Sequence, residues 1–387
     1  MIPEIAARAK AAAAKHPDFI RGDQGQVVGV LPEREVYYGP SSGLPVLRRL
    51  AARFWTLAYH LDGTPGVPRG GLGAEHAAIV SGATEGLAIL LRLLAPHRRV
   101  GLQRLHWGNY RSIVAHAGGE PVVLDFFAPD GELDVEGVAA AVDSHSIGTL
   151  VVNFPANPTG DCLSDDEMTA LAALARDRNL LLIADEVYNW IRYDGPPRSM
   201  LGFAPERTLA IGAASKEYLI PGARTAWILS ADEEFCDQWL PRLIRTTSSS
   251  PNVLGQQLAA EMLAADVEDL EEGRSPRYLS RVREVLLKRR NLMVEVLHGA
   301  GFEIVGRVGD HSPAGGISLL ARLPDGLEDD VAFNDKAIGL GKFSAIPGAA
   351  FGAPGHVRFG YAGMTLDSIE RLRRVLPEVV EAVGATP

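Results

Sequence analysis

Between about Val80 and Ser230 the chain alternates apolar runs with helical patterns, and that alternation predicts parallel βαβ units. The strand candidates are RVGLQ from Arg99, EPVVLDFF from Glu120, IGTLVVNF from Ile147, LLLIADEVY from Leu180, RTLAIGAAS from Arg207 and ARTAWILS from Ala223. Several are apolar almost throughout, as strands covered on both faces must be. Between them SDDE, Ser164 to Glu167, is a capping box that opens the helix EMTALAALARDR. Past roughly Ser280 the pattern changes. A long charged helix, RVREVLLKRRNLMVEVLHGAG, leads into the short strands GFEIV and GGISLLARL and then into TLDSIERLRRVLPEVVEAV. The expected fold class is therefore α/β, with a mostly parallel sheet between helices. Residues 41–280 form a large domain in this reading, and residues 1–40 with 281–387 form a smaller, discontinuous α+β domain.

Composition narrows the function classes. At 387 residues the chain is long enough for two domains sharing a crevice. Its 47% hydrophobic content is ordinary for a globular protein, and no apolar run approaches a membrane span, so the chain is expected to be soluble with no membrane partner. The formal net charge of -10, without a dense basic stretch, argues against nucleic acid and acidic lipid as partners. Cys162 and Cys236 are the two cysteines, and neither belongs to a CxxC or Cys/His cluster. No metal site is expected, and reduced thiols in the cytoplasm fit this usage. The start, MIPEIAARAKAAAAKHPDF, is interrupted by Glu4, Arg8, Lys10 and Lys15, so it predicts a short surface helix rather than a secretory signal.

Several short segments carry candidate chemistry. GAASK ends at Lys216, and Arg224 follows eight positions later. A lysine serves carbonyl chemistry when partial burial lowers its pKa. Asp185 stands at the carboxyl end of an apolar strand, where α/β sheets place ligand-binding groups, and Tyr188 follows three residues on. NFPANPTG contains Asn157 in a turn. SGATEGL opens a helix, so the amides of Ala83 and Thr84 point outward toward an anion that the helix dipole favours. Trp107 lies in HWGNYRSIVAHAGGEPV, Tyr38 in YYGPSSGLPVLRRLAARF, and Arg358 in PGAAFGAPGHVRFGYA. An arginine suits a carboxylate because its planar fork offers two parallel hydrogen bonds.

Taken in order, these segments resemble the fold type I pyridoxal 5'-phosphate (PLP) enzymes of the aspartate aminotransferase superfamily (class I/II aminotransferases), from Tyr38 to about Tyr361. The resemblance implies a seven-stranded sheet in the large domain and PLP as cofactor. It makes Lys216 the Schiff-base lysine and sets Asp185 against the pyridinium nitrogen. Tyr188 and Asn157 then contact the ring's phenolic oxygen, and Trp107 stacks on the ring. Ala83, Thr84, Ser215 and Arg224 fall at the phosphate. Tyr38 reaches the phosphate of the neighbouring subunit, which implies a homodimer with shared active sites. Arg358, helped by Asn157, takes the substrate α-carboxylate. Arg245, six residues before Pro251, has the spacing of a distal-carboxylate arginine from the partner subunit, or is a helix end beside a Ser-rich loop.

The activity implied is transfer of an amino group from an L-amino acid to a 2-oxo acid by a ping-pong route. The alternative on the same residues is a PLP-dependent lyase or cyclase acting at Cβ or Cγ, and a non-catalytic PLP-binding regulatory module is a third class. Two departures stand out. Ala213 occupies the place of a phosphate-binding serine, and IRGDQGQ, Ile20 to Gln26, fits loosely where relatives carry a glycine-proline signature.

Overall fold

The computed structural model describes residues 37–307 and 312–384, together with Lys15. Contacts divide the chain into two compact units, Met1–Tyr38 and Gly39–Pro387. The N-terminal surface helix and the Ile20–Gln26 segment lie outside the described residues. The second unit carries the architecture that follows.

In chain order it runs α1 (Pro45–Ala58), β1 (Ala77–Val80), α2 (Ala83–Leu94), β2 (Arg99–Gln103), α3 (Asn109–His116), β3 (Glu120–Leu124), α4 (Val135–His145), β4 (Ile147–Val152), α5 (Asp165–Asp177) and β5 (Leu181–Asp185). It continues with β6 (Thr208–Ala213), the single turn α6 (Ala214–Glu217), β7 (Ala226–Leu229), α7 (Leu240–Thr247), α8 (Val253–Glu271) and α9 (Arg277–Gly299). Last come β8 (Glu303–Val305), β9 (Leu319–Arg322), α10 (Asp330–Gly339), β10 (Ile346–Pro347), β11 (His356–Phe359) and α11 (Leu366–Gly384).

Strands β1 to β7 form one seven-stranded sheet in the order β1-β7-β6-β5-β4-β2-β3. β2 pairs in parallel with β3 and β4, as β5 does with β4 and β6, whereas β7 runs antiparallel to both β6 and β1. The reversal has a local cause: the link from β6 to β7 holds only α6 and a short 3-10 turn, with no crossover helix to bring the chain back. β1 therefore points the same way as β6. The start of β7 lies at the same sheet edge as the carboxyl ends of β1, β2, β4, β5 and β6.

Alternate residues of each strand feed opposite layers. Ala226 and Ile228 join Leu87, Val100, Ile183 and Ile211 on one face, while Trp227 and Leu229 join Trp55, Ala259 and Leu263 of α1 and α8 on the other. Leu150 and Leu182 continue that second face against Met168 and Leu171 of α5. The capping box of α5 is present: the Glu167 amide donates to Ser164 Oγ at 3.2 Å, and the Ser164 amide donates to Glu167 Oε2 at 2.8 Å.

β8 to β11 make a separate four-stranded antiparallel sheet, β10-β11-β9-β8. Arg307, just past β8, ties this layer to the first: its guanidinium pairs with Glu167, donates to the Gly131 and Cys162 carbonyls, and lies 4.6 Å from the Phe127 ring centroid. Among the described residues no helix is long and apolar enough to cross a membrane.

Gly43 closes the turn ahead of α1, its amide bonded to the Pro40 carbonyl at 2.9 Å and its φ at +93°. A Cβ there would stand 2.3 Å from Ile79 Cγ1 of β1. Gly43→Ala is expected to lower stability by about 2 kcal/mol or more, measured by denaturant unfolding, because both the left-handed backbone and the contact oppose it.

Candidate functional site

The carboxyl edge of the large sheet collects the polar groups. β5 delivers Asp185, buried at 4% exposure on the same face as Ile183. The Tyr110 hydroxyl of α3 donates to Asp185 Oδ2 at 2.6 Å, while buried Oδ1 has no well-formed hydrogen bond. Burial pushes the Asp185 carboxyl up to about 6, opposed by the Tyr110 hydroxyl, the Val187 amide and the charge of Lys216. One oxygen of a buried acid is thus left for a partner that the chain itself does not supply.

Lys216 faces that acid from α6. It is half-buried, and burial lowers its pKa; the charges of Arg358 and Arg224 lower it further, against the opposing pull of Asp185. The amine is moved toward the neutral form that acts as a nucleophile and base.

Arg224 ends the 3-10 turn two residues before the reversed strand β7 and so reaches the same edge. Its backbone is left-handed, φ 48° and ψ 52°, and its side chain donates to the Pro221 carbonyl at 3.2 Å and the Ser81 carbonyl at 3.3 Å. Those bonds set the guanidinium against the start of α2, where Gly82 has φ +97°. There the amides of Ala83 and Thr84 belong to the first helical turn, which lacks intrahelical acceptors. A guanidinium and a helix N-terminus together form a corner for a phosphate group.

A chain of four polar residues joins the two sheets. Asn153, just past β4, donates from Nδ2 to the Asp185 carbonyl at 2.8 Å and accepts on Oδ1 from the Asn157 amide at 3.0 Å. Asn157 Oδ1 in turn accepts from Arg358 Nη1 of β11 at 3.1 Å. Arg358 lies 4.8 Å from the Phe351 ring centroid, and its buried Nε has no partner, so the fork keeps donors for a carboxylate. Burial lowers its pKa, opposed by Tyr188. The Tyr188 hydroxyl is itself pushed up, first by burial and then by Asp185, so it stays a donor.

Of the remaining expected residues, Trp107 is half-buried, edge-on to Tyr110 with ring centroids 5.5 Å apart. Ser215 is half-buried, and Ala213 is fully enclosed within β6. Tyr38 ends the first unit and is exposed. Arg245 is exposed at the end of α7, with Nε donating to Ser41 Oγ at 3.4 Å, apart from the Asn157–Arg358 chain. Sequence reasoning missed Tyr110 and Asn153. Tyr110 had one available signal, its place three residues after Trp107 on a helix.

These groups fit a phosphorylated pyridine aldehyde. The unpartnered Asp185 Oδ1 suits a protonated ring nitrogen, the Lys216 amine suits an aldehyde, and the Arg224 corner suits the phosphate.

A family model described as "Aminotransferase class I and II" matches residues 32–376. The chain is 27% identical over 375 residues to the aspartate/prephenate aminotransferase of Thermus thermophilus, covering 96% of this chain and 90% of that one. It is 24% identical to an aspartate aminotransferase of Bacillus subtilis, covering 93% and 89%. Among solved structures, a mutant aspartate aminotransferase of Thermus thermophilus superposes with a TM-score of 0.77 at 25% identity, over 96% of this chain and 92% of that one. The N-succinyldiaminopimelate aminotransferase of Mycobacterium tuberculosis superposes with a TM-score of 0.76 at 25% identity, over 97% and 90%.

A Cβ on Gly82 would stand 2.3 Å from Arg224 Nη2. Gly82→Ala is therefore expected to displace the guanidinium and weaken binding of a phosphate monoester at this corner about tenfold, read by fluorescence titration.

Proposed function

The chain belongs to the family of class I and II aminotransferases, which transfer amino groups with pyridoxal 5'-phosphate, and on that premise we propose that the cluster around Lys216 and Asp185 is the transfer site. The single observation carrying this reading is the half-satisfied, buried Asp185 facing a partly buried lysine whose charge acts on it. The relatives compared are named aminotransferases, so a lyase or cyclase is not favoured.

Lys216 would carry the cofactor, and Asp185 would hold its ring nitrogen protonated. Tyr188 and Asn157 would contact the ring oxygen, Trp107 would cover the ring, and Ala83, Thr84, Ser215 and Arg224 would hold the phosphate. With serine absent at Ala213, Ser215 and the helix amides take a larger share of that anion. When bound, the cofactor supplies an aldehyde for the donor's amino group and a ring that withdraws electrons from the donor's Cα.

The protein's own residues do the rest. Arg358 and Asn157 grip the α-carboxylate and fix which Cα bond is weakened. Lys216 Nζ, biased toward the neutral amine, takes the Cα proton and holds it for return. Asp185 keeps its charge within the protein because the Tyr110 hydroxyl stabilises the anion.

The finer assignments belong to the same proposal. The donor is an L-amino acid and the acceptor a 2-oxo acid, handled in turn. The exposed Leu254 and Leu258, one turn apart on α8, support a homodimer, because they leave apolar side chains uncovered on one helix face. In such a dimer Tyr38 and Arg245 serve the partner's site. The domain division at 41–280 is supported by the separate sheet of β8 to β11. Two free, buried cysteines fit the cytoplasm.

Lys216→Ala is expected to abolish the visible band of the loaded protein and to slow keto-acid release from an amino donor, without any acceptor present, on the order of 10⁴-fold. Release at the wild-type rate would exclude Lys216. Arg245→Ala is expected to lower kcat/KM for glutamate about tenfold or more while leaving an uncharged donor unchanged. Equal losses for both donors would remove Arg245 from substrate recognition.

A further inference from the structure

Behind the sheet, the sequence neighbours of the two central site residues meet. Glu186 follows Asp185, and backbone alternation sends it to the opposite face, where it is 4% exposed. Glu217 follows Lys216 and is fully enclosed, beside Tyr218 and Ala214 in the core that includes Trp55 and Trp227. Glu186 is well served: Oε1 accepts from the Met200 amide at 2.8 Å, and Oε2 from Asn189 Nδ2 at 3.2 Å. Glu217 is not. Its Oε1 accepts from the Trp190 amide at 3.1 Å, and its buried Oε2 has no partner.

The groups facing Glu217 come from every neighbouring element. Glu186 approaches from the end of β5, Asp266 from α8, Tyr59 from just beyond α1, and Tyr218 from its own turn. Among the described residues none of Glu186, Glu217 and Asp266 has a Lys, Arg or His ion-pair partner, and no group of three His, Cys, Asp or Glu could hold a metal ion. The hydroxyls of Tyr59 and Tyr218, the Trp55 and Trp227 indole nitrogens and Asp266 Oδ2 are likewise buried without well-formed hydrogen bonds. Two ionised glutamates cannot share such a space without a cation. Burial accordingly pushes Glu217 up to about 8, with Glu186 and Asp266 adding to the rise. It also pushes Glu186 up to about 7 and Asp266 to about 6.

We propose that Glu217 is a positioning residue for Lys216: as the neutral acid it clips the lysine's turn to the backbone of the turn that follows Asp185 and carries Tyr188, and its ionisation loosens that clip. The Trp190 bond by itself favours the anion. One such bond does not offset the lost hydration together with repulsion from Glu186 and Asp266, so an ionised Glu217 moves toward water and takes α6 with it. The inference rests on the reading of Lys216 as the working amine.

The test uses the full chain without cofactor, so it does not depend on turnover. The Lys216 amine is titrated by competitive acetylation and mass spectrometry of its peptide, in wild type, Glu217→Gln and Glu217→Leu. Gln keeps the shape and both hydrogen-bonding edges of the neutral acid but cannot ionise, so Lys216 should label as in wild type below about pH 8 and more readily than in wild type above it, where only wild type loosens the clip. Leu removes the clip, and the lysine should move up toward an ordinary exposed lysine by about one pH unit or more.

Thermal midpoints across the pH range give the second readout. The folded pKa of Glu217 lies above its unfolded value of about 4.3, so the neutral acid's contribution is complete below that value and is lost as pH rises through about 8. Wild type should lose stability relative to Glu217→Gln across that window. A Gln variant that tracks wild type at every pH, or a folded Leu variant with an unchanged Lys216 titration, overturns the inference. A wild type that labels as expected yet transfers no amino group instead overturns the proposed function.

Discussion

A carboxylate removed from water needs partners, and Asp185 has one well-formed bond, from the Tyr110 hydroxyl, where it has room for more. Around that imbalance the edge of the sheet is organised. Asn153 holds the Asp185 backbone carbonyl, so the acid cannot turn away, and the same amide side chain fixes the Asn157 turn. The polar chain then passes to Arg358 in the second sheet. Each member lacks something only a ligand provides, and the deficits are complementary: an acid short of a donor, an amine short of a proton, and a guanidinium short of an anion.

The second determinant is direction. In an all-parallel sheet the start of a strand lies at the edge away from the site. Reversal of β7 brings Arg224 back to the working edge, beside the loop that follows β1, because β1 and β7 are neighbours. The helix N-terminus at Ala83 and the guanidinium thus converge from adjacent strands that run in opposite senses. Gly82 permits the approach, since it carries no Cβ to meet the guanidinium.

Much of this was legible in the sequence, for physical reasons that differ by element. β2 to β6 stand out because doubly covered strands are apolar almost throughout, although their ends were overdrawn: LLLIADEVY contains only Leu181–Asp185 as strand, and ARTAWILS only Ala226–Leu229. β1 escaped notice because AAIV is four residues long and follows a Gly- and Pro-rich loop. No side-chain pattern announces that β7 is reversed, since a strand covered on both faces has the same composition in either sense. In the site, Asp185, Lys216, Asn157 and Arg358 are visible through their local segments. Tyr110 lies in the segment of Trp107, but its role is not legible there, because its partner lies 75 residues further along. The same holds for Glu186 and Glu217, which acquire meaning only when two distant turns are brought together behind the sheet.

Glu167 serves two masters. It closes the first turn of α5, and it also grips Arg307, whose other bonds reach the Gly131 and Cys162 carbonyls. Any rocking of the four-stranded layer must either tear open the α5 cap or leave this corner still. Arg307 therefore pins one corner of that layer to the first turn of α5, and loss of its guanidinium would free the cap and the corner of the layer together.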